Sequence, residues 1–542
     1  MDFGTRAWGL VALVGLASSC DSGSSHHFAP PPTAPTVEAR AIDGAGNNLS
    51  TTAMGSTDVA LMRMTTPDYG DGVSTPAGAT RPSAREVSNA IHVQSTPLPN
   101  ALNATDLFWL WGQFVDHDID LTEPRDPAES MPIAVPMGDP MFDPMNTGTQ
   151  TISFDRSSYV SGSSPRQQRN QITAWLDGSA VYGSDLARTT ALRANDGTGR
   201  LRVDASGNVG DLLPRNTGGL PNAMSATDPT MFLAGDVRAN ENVLLTAMHT
   251  LWVREHNRLA DEYRQLYPTA TGDEIFQLAR RWVGAEIQAI TYEEWLPILL
   301  GPSGMPNYTG YDSVQQAGIF NEFSTACYRF GHTLLSGQLQ RLDASLNPIA
   351  QGHLALRDGF FQPDQLLTGG GIEPLLRGAS QQICQELDVC VVDDVRNFLF
   401  GPPGAGGLDL AALNIQRGRD HGLPAYNEVR RQLSLLPKAA FTDVSSNPTV
   451  QTALMNAYAD VEQIDLWTGS LAEAHLPGAM VGELLAHVLG RQFQVIRDCD
   501  RFFYENVFTG SELAELRATR LSDVIRRNTT IDTELQNAVF VR

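Results

Sequence analysis

The chain has 542 residues, with 38 Lys and Arg against 61 Asp and Glu, a formal net charge of −23 and 42% hydrophobic residues. The hydrophobic share is enough for a large core in one or two domains and argues against a globally disordered chain. The negative field repels phosphate backbones and argues against nucleic-acid binding, whereas bound cations are tolerated.

The N-terminus has the pattern of an export signal over residues 1–20. Residues 8–17 form an apolar run that is too short to cross a bilayer. Small residues then precede Cys20, as in bacterial lipoprotein signals, although Leu16 stands one place too far from that cysteine. Ordinary cleavage and a lipid on Cys20 both remain open. We expect a secreted, periplasmic or cell-surface protein, with any membrane attachment through this end.

Residues 21–36 are rich in Ser, Pro and His, which predicts a flexible tether with solvated His26 and His27. Residues 37–85 carry many Gly, Pro, Asn and Thr residues with little periodicity, which predicts an irregular arm along the surface. Helical patterns dominate from residue 86 onward. We therefore expect a mainly α fold with one large domain over 86–542.

Three helices have the clearest sequence signals. Asn103 or Thr105 can cap the first, whose inward side carries Leu107, Leu110, Phe114 and His117. Apolar residues at helical spacing predict a second helix over about 240–263. Thr271 and Glu274 form a capping box for a third, which runs towards Pro297. Further helices are expected near 321–336, 423–435 and 479–494.

Beyond Cys20 the cysteines are Cys327, Cys384, Cys390 and Cys499. Four cysteines allow three pairings, and the sequence does not choose among them. Cys384 and Cys390 could close a small loop in an oxidising compartment. Four buried thiols are the alternative.

Four short clusters carry side chains that can do chemistry: Gln113 to Asp118, Arg238 to Glu241, Arg329 to His332 and Asn414 to Pro424. Gln113 and His117 are four residues apart, so they share a helix face and could hold a water or peroxide between them. Gly331 would let a flat ligand approach His332. Taken singly, each cluster could be a structural histidine or an ordinary ion pair.

In this order the clusters resemble the animal haem peroxidases of the peroxidase–cyclooxygenase superfamily, and within it bacterial peroxinectin- and peroxidasin-like members. The likeness covers roughly residues 85–542, with matching phrases at Trp111 to Asp120, Asn170 to Ser184, Leu233 to Asp236, His249 to Ala260 and Leu413 to Tyr426. It implies a haem b enzyme that uses hydrogen peroxide, through a high-valent iron-oxo intermediate, to oxidise bromide, iodide, thiocyanate or phenols.

The resemblance also implies catalytic roles. His117 matches the distal base, which must be neutral to accept a peroxide proton. Arg238 matches the distal arginine, which stabilises charge as the O–O bond breaks. Gln113 would position the distal water or halide. His332 matches the proximal iron ligand, and Asn414 the amide that accepts its other ring N–H.

Further positions are expected at the haem edge. Asp116 and Glu241 match the carboxylates that form ester bonds to haem methyl groups, hydrogen bonding alone being the alternative. Arg329, Arg417 and Asp120 match positions near the propionates, or else form buried ion pairs. Asn242 stands where some family members have a methionine that makes a sulfonium link, so strong chloride oxidation is not expected.

Calcium is the second cofactor that the resemblance implies. Its oxygen ligands would come from Asp118 and from a loop that supplies Thr173, the Trp175 carbonyl, Asp177 and Ser179. A plain acidic turn is the alternative. Loss of calcium should disturb His117, because Asp118 follows it directly.

Two other functions are alternatives to a peroxidase. Fatty-acid dioxygenases of the same superfamily use a tyrosine three residues before the proximal histidine; here that position is Arg329, and Tyr328, on a helix, would point elsewhere. A peroxinectin-like adhesion or matrix protein is the other alternative. His249 and His256 do not form a zinc-protease motif, and His421 is expected to pack structurally. The natural donor and the oligomeric state stay open.

Overall fold

A computed structural model describes residues 32–205, 207, 209–223 and 227–542. The predicted export signal and the tether as far as residue 31 lie outside the described residues, together with Cys20, His26 and His27. No helix in the described part of the chain is both long enough and apolar enough to cross a membrane.

The fold is mainly helical, as the sequence predicts. In chain order the α-helices are α1 (Ala84–Ile91), α2 (Asp106–Ile119), α3 (Ser179–Tyr182), α4 (Leu186–Leu192), α5 (Val243–Leu266), α6 (Gly272–Ala289), α7 (Leu296–Leu300), α8 (Asn321–Thr325), α9 (Asp364–Thr368), α10 (Glu373–Gln381), α11 (Asp393–Arg396), α12 (Leu410–Asp420), α13 (Tyr426–Gln432), α14 (Phe441–Val444), α15 (Pro448–Ala457), α16 (Leu466–Ala472), α17 (Glu483–Asp498), α18 (Tyr504–Val507), α19 (Gly510–Ala518) and α20 (Leu521–Asn528).

Strands are short and pair only in antiparallel twos among the described residues. β1 (Val59–Ala60) pairs with β4 (Arg169–Asn170), β2 (Ile133–Ala134) with β3 (Thr151–Ile152), and β5 (Gln338–Leu339) with β6 (Leu354–Ala355). A π-helix spans Ile290–Trp295, and 3₁₀ segments span Cys327–Thr333, Leu356–Asp358 and Val461–Gln463.

The three best-signalled helices form where expected. In α2 almost every side chain is buried, and the Thr105 hydroxyl donates to the Val539 carbonyl (2.6 Å) instead of capping the helix. α5 begins two to three residues later than the pattern suggests, because the Asn242 side chain caps it by accepting from Leu245 N–H (2.8 Å). The capping box of Thr271 and Glu274 starts α6 as predicted.

The single helix expected near 321–336 is wrong. α8 ends at Thr325, Ala326 leaves helical geometry (φ −129°, ψ −64°), and a tighter 3₁₀ segment follows over Cys327–Thr333. A 3₁₀ turn has three residues, so Arg329 and His332 project to the same side. This change of pitch redirects every side chain of the segment.

The core surrounds α2, which packs against α3, α5 and α10. The N-terminal arm covers one side: Arg40 pairs with Asp500 (2.8 Å), and Glu322 accepts from the backbone N–H groups of Met64 (3.0 Å) and Thr65 (2.9 Å). Cys327, Cys384, Cys390 and Cys499 are all free thiols, so the loop bond between Cys384 and Cys390 is not formed.

Candidate active site

A cavity of about 330 Å³ lies between α2, the turn before α5, the 3₁₀ segment and α12. Nine side chains singled out from the sequence line it: Gln113, Asp116, His117, Asp120, Arg238, Glu241, Arg329, His332 and Arg417. Its remaining wall is largely apolar, with Leu335, Leu356, Phe360, Phe400 and Leu413 among its members. The cavity therefore joins segments more than 300 residues apart and suits a flat, mostly apolar ligand with a polar edge.

His117 stands on α2 and is 3% exposed. Its Nδ1 lies 3.5 Å from Asp236 Oδ1, and its Nε2 lies 4.0 Å from Glu241 Oε2. Burial, followed by the nearby Arg238 charge, holds the pKa of His117 well below its ordinary value. The ring is therefore neutral near pH 7 and can accept a proton.

Arg238 lies in the turn before α5 and is held by three acceptors. Asp236 accepts from its Nε (2.9 Å) and Nη2 (2.9 Å), Nη2 also donates to the Asp120 carbonyl (2.7 Å), and Nη1 lies 3.4 Å from Asp116 Oδ2. Burial alone would lower the pKa of Arg238, but Asp236 more than offsets this and raises it. A permanent positive charge is thus fixed beside His117.

Asp236 has no role that is predicted from the sequence. Burial would raise its pKa, yet Arg238 holds that pKa well below the ordinary carboxyl range, so Asp236 stays ionised. The only sequence signal was its position two residues before Arg238 in a matched phrase, and the spacing alone does not reveal that it also reaches His117.

Gln113, Glu241 and Asn242 form a hydrogen-bonded row along the same wall. Gln113 Nε2 donates to Glu241 Oε2 (3.1 Å), and Asn242 Nδ2 donates to Gln113 Oε1 (3.2 Å). Burial raises the pKa of Glu241 to about 7. Burial, together with Asp120, raises the pKa of Asp116 to about 8. Both carboxyl groups face the cavity and hold a proton more readily than usual.

His332 faces the cavity from the 3₁₀ segment, with its Nδ1 2.8 Å from the Nδ2 of buried Asn414. Arg329 Nη1 donates to Asn414 Oδ1 (3.3 Å), so the amide nitrogen is the atom that faces the ring. Asn414 therefore does not accept from the ring as expected. For it to do so, the amide would have to turn so that its oxygen faced His332 Nδ1.

Arg417 and Asp120 lie at the polar edge of the cavity. Arg417 Nη1 donates to the Asp155 carbonyl (2.8 Å) and to Ser157 Oγ (2.9 Å), and it lies 3.2 Å from Asp420 Oδ2. Two buried atoms here have no hydrogen-bond partner, Asp120 Oδ1 and His117 Nδ1. The guanidinium groups of Arg329 and Arg417 also line the cavity, which therefore suits a ligand with an anionic edge.

The predicted calcium loop docks on the end of α2. Asp118 Oδ2 accepts from Asp177 N–H (3.0 Å), and Asp118 Oδ1 accepts from Ala180 N–H (2.7 Å). Ser179 Oγ donates to the Asp118 carbonyl (2.7 Å), and Ser179 N–H donates to Asp177 Oδ1 (3.0 Å). Trp175 is fully buried in the same loop.

Two buried oxygens of this loop, Thr173 Oγ1 and Asp177 Oδ2, have no hydrogen-bond partner. Burial, then Asp177, raises the pKa of Asp118 to about 7, and burial raises that of Asp177. Across the described residues there is no metal-competent group of three or more His, Cys, Asp or Glu side chains. The unpartnered oxygens of Thr173 and Asp177 are of the hard type that cations such as calcium take as ligands.

The expectation for Tyr328 is wrong. Because the segment is 3₁₀ rather than α-helical, Tyr328 lines the cavity and donates from its hydroxyl to the Gly112 carbonyl (3.2 Å). His421 is buried and bonded to Asn321 (2.8 Å) and Ser157 (2.8 Å), yet it too reaches the cavity wall.

His249 and His256 lie away from the cavity lining. His249 Nδ1 is 3.1 Å from the Ala180 carbonyl, while His256 bonds Tyr182 (2.9 Å) and the Gly199 carbonyl (3.0 Å). Burial lowers the pKa of both rings to about 4. Each ring forms hydrogen bonds with other residues of the chain, and the two rings do not contact a shared partner in these bonds.

Comparison with known proteins gives a consistent result. The model of a family described as "Animal haem peroxidase" matches residues 39–540. Peroxinectin A of Dictyostelium discoideum is 36% identical over 518 residues, which cover 93% of this chain and 96% of that protein. Peroxidasin of Drosophila melanogaster is 36% identical over 90% of this chain, which spans only 35% of that longer protein.

Two solved structures share the fold. The structure of peroxidase A from Dictyostelium discoideum superposes with a TM-score of 0.87 at 35% identity, covering 94% of this chain and 100% of that one. The fatty acid alpha-dioxygenase of Oryza sativa superposes with a TM-score of 0.76 at 22% identity, covering 91% and 84%. The second likeness concerns the fold alone.

Proposed function

The chain belongs to the animal haem peroxidase family, and from that premise we propose that it is a secreted enzyme in which hydrogen peroxide oxidises small anionic or phenolic donors at the cavity described above. The observation that carries the proposal is that three groups from separate segments line one cavity. They are a neutral His117 on α2, a charged Arg238 in the turn before α5, and His332 in the 3₁₀ segment.

The distal residues would move one proton and hold one charge. His117 accepts the proton of hydrogen peroxide and returns it to the departing oxygen, which its depressed pKa favours because the ring starts neutral. Arg238, fixed by Asp236, stabilises the negative charge that develops as the O–O bond breaks. Gln113 orients the water or halide beside them.

Haem, when bound, would supply the iron, and hydrogen peroxide would supply the oxidising equivalents. His332 would ligate the iron, and Asn414 would turn its oxygen to His332 Nδ1 to orient the ring. Arg329, Arg417 and Asp120 would receive the propionates. A propionate that bound Arg329 would release Asn414 Oδ1 from its present donor, and the amide of Asn414 could then turn its oxygen towards His332.

We propose that Asp116 and Glu241 form ester bonds to haem methyl groups. Both face the cavity, and burial raises the pKa of each carboxyl, to about 8 and about 7. Asn242 has no sulfur with which to form a third bond. Bromide, iodide, thiocyanate and phenols are therefore the proposed donors in preference to chloride.

Calcium would be held by Asp118, Thr173, the Trp175 carbonyl, Asp177 and Ser179. The partnerless oxygens of Thr173 and Asp177 support this assignment. Bound calcium would neutralise two buried carboxylates and tie the loop to the end of α2, one residue from His117.

We also propose an export signal over 1–20, a tether over 21–36, an arm over 37–85 and a catalytic domain over 86–542. Any membrane contact would be through a lipid on Cys20.

A haem absorption spectrum followed by peroxide and guaiacol or bromide tests the proposal. We expect a Soret band and donor oxidation from the purified holoprotein. His332→Ala should lose iron ligation, and a variant that keeps an active haem would contradict the assignment. Mass spectrometry after acid extraction should find haem still attached to the wild-type chain. Oxygenation of a fatty acid without added peroxide would instead indicate a dioxygenase.

A further inference from the structure

A row of packed aromatic side chains leads from the cavity wall to α18, where the buried Tyr504 donates its hydroxyl to the exposed Glu293. Tyr328 lines the cavity, and its ring centroid is 6.3 Å from that of Trp295. Trp295 packs directly behind the cavity wall, because a Cβ on Gly112 would lie 3.1 Å from its ring. The cavity and Trp295 are thus separated by one glycine of α2 and one tyrosine.

The row continues outward through contacts of ordinary aromatic geometry. Trp295 and Tyr292 both pack on Phe493, at 6.1 and 6.3 Å. Tyr292 lies 5.4 Å from Phe503, which in turn lies 4.7 Å from Tyr504. Tyr328, Trp295, Tyr292 and Tyr504 are here called the aromatic path.

The hydroxyl partners differ along this path. Tyr328 donates to the Gly112 carbonyl and Tyr292 to the Phe493 carbonyl (2.8 Å), neither of which can take up a proton. Tyr504 donates to Glu293 Oε1 at 2.7 Å, and Glu293 is solvent-exposed. A tyrosine loses an electron readily only if its proton has somewhere to go. Tyr504 is therefore the position on the path where an oxidising equivalent would come to rest.

We propose that the aromatic path carries oxidising equivalents from the cavity to Tyr504, which oxidises a one-electron donor that is too large for the cavity and binds at the surface beside the exposed Glu293; this rests on the proposed peroxidase function. One electron leaves Tyr504 through Tyr292, Trp295 and Tyr328 and reduces the peroxide-oxidised cofactor. The phenolic proton moves to Glu293. The donor then gives one electron to the phenoxyl group, and the proton returns from Glu293, which restores Tyr504.

Stepwise transfer is favoured because electron tunnelling weakens exponentially with distance. Trp295 and Tyr328 are in ring contact, and the other two steps of the path each cross one phenylalanine ring, Phe493 or Phe503. Bulky donors are favoured because a cavity of about 330 Å³ admits only small molecules. The net charge of −23 favours a cationic donor, which it attracts and orients. Ferrocytochrome c meets both conditions and serves as the probe.

The test compares Tyr504→Phe and Glu293→Gln with Tyr426→Phe in the holoprotein. Glu293→Gln keeps an oxygen that accepts from Tyr504 but is not basic. Tyr426→Phe is the matched control, since Tyr426 is equally buried and donates to Glu473 (2.7 Å) away from the path. We expect the first two variants to slow peroxide-driven oxidation of ferrocytochrome c about tenfold, with guaiacol oxidation changed by less than about twofold.

Freeze-quenched electron paramagnetic resonance gives a readout independent of turnover. After equimolar peroxide without donor, wild type and Tyr426→Phe should show a tyrosyl radical that narrows with ring-deuterated tyrosine, and Tyr504→Phe should lose it. An unchanged radical and an unchanged ferrocytochrome c rate in Tyr504→Phe would overturn the proposal. Guaiacol turnover without any ferrocytochrome c oxidation in wild type would overturn it alone, whereas failure with guaiacol would refute the peroxidase function itself.

Discussion

Replacing Asp236 with asparagine would show how the cavity holds its positive charge. Asp236 accepts from the backbone N–H (2.8 Å), Nε (2.9 Å) and Nη2 (2.9 Å) of Arg238, and its Oδ1 lies 3.5 Å from His117 Nδ1. Asparagine has nearly the same shape, but it removes the charge and one of the two acceptor oxygens. Arg238 would stay buried with a weaker partner.

Removing one partner of a buried ion pair costs about 3–5 kcal/mol of unfolding free energy. Because the amide keeps one acceptor, we expect a loss near the lower end, about 3 kcal/mol. The pKa of Asp236 is depressed in the folded protein. Its stabilisation is therefore complete above the ordinary carboxyl pKa of about 3.9 and is lost as the pH falls below that value. The difference between wild type and Asp236→Asn should shrink in acid.

The reaction with peroxide should slow by up to about 10²–10³-fold, the cost of losing one aligned electrostatic stabiliser, because the Arg238 guanidinium is no longer fixed by two carboxylate oxygens. Arg238 lowers the pKa of His117 and Asp236 raises it, so the variant keeps His117 neutral. The variant should therefore be slower than wild type by the same factor at every pH. The pH below which the rate declines should not move upward.

Urea denaturation and stopped-flow mixing with peroxide measure the two effects. The matched control is Asp273→Asn, where the aspartate is 68% exposed and pairs with Arg193 at 2.8 Å. Such an exposed pair is worth less than about 1 kcal/mol, and its loss should leave the peroxide rate unchanged. If Asp236→Asn unfolds and reacts like Asp273→Asn, the buried-charge reasoning is refuted.

Three further predictions follow from buried groups. Burial raises the pKa of Asp106 to about 8. The contribution of the protonated carboxyl group to stability is therefore lost as the pH rises from about 3.9 to 8. The Tm of Asp106→Asn should increase relative to that of wild type across this range, and a constant difference in Tm would contradict this. A calcium chelator should lower the Tm of wild type but not that of Asp177→Asn, and equal losses would argue against the calcium loop. Gly55→Ala should cost about 1–3 kcal/mol in urea denaturation, because its Cβ would lie 2.4 Å from the Trp175 ring at φ +70°. Gly46→Ala, at φ +71° with no atom within 4 Å, isolates the backbone part and should cost less.

Local sequence signals were enough to predict helices such as α2, which carries Gln113 and His117. The buried periodicity of α2 and the capping box of α6 depend on residues within a turn or two, and both appear as predicted. Recognition of the family likewise came from residue identity and order along the chain, which is why Gln113, His117 and His332 could be named before any geometry was known.

The direction in which a side chain points was harder to predict from the sequence. Tyr328 was expected to point away from the cavity, and it lines the wall because Ala326 breaks the helix and the next turn is 3₁₀. The Asn414 amide faces His332 with its nitrogen because Arg329, 85 residues away in sequence, donates to its oxygen. A change from about 3.6 to about 3.0 residues per turn, or a single competing donor, is too small to recognise in a sequence pattern.

The amino-acid sequence by itself determined which reactive side chains are present, that the fold is mainly helical, and to which family the chain belongs. Residue type, periodicity and order are properties of the chain. Only the tertiary structure decided that Asp236 serves both Arg238 and His117, and that Thr173 and Asp177 keep unpartnered oxygens. It alone brought Tyr328, Trp295 and Tyr504 into one row of packed rings. These relations depend on distances of a few ångströms between segments far apart in the chain, and such distances are set by packing.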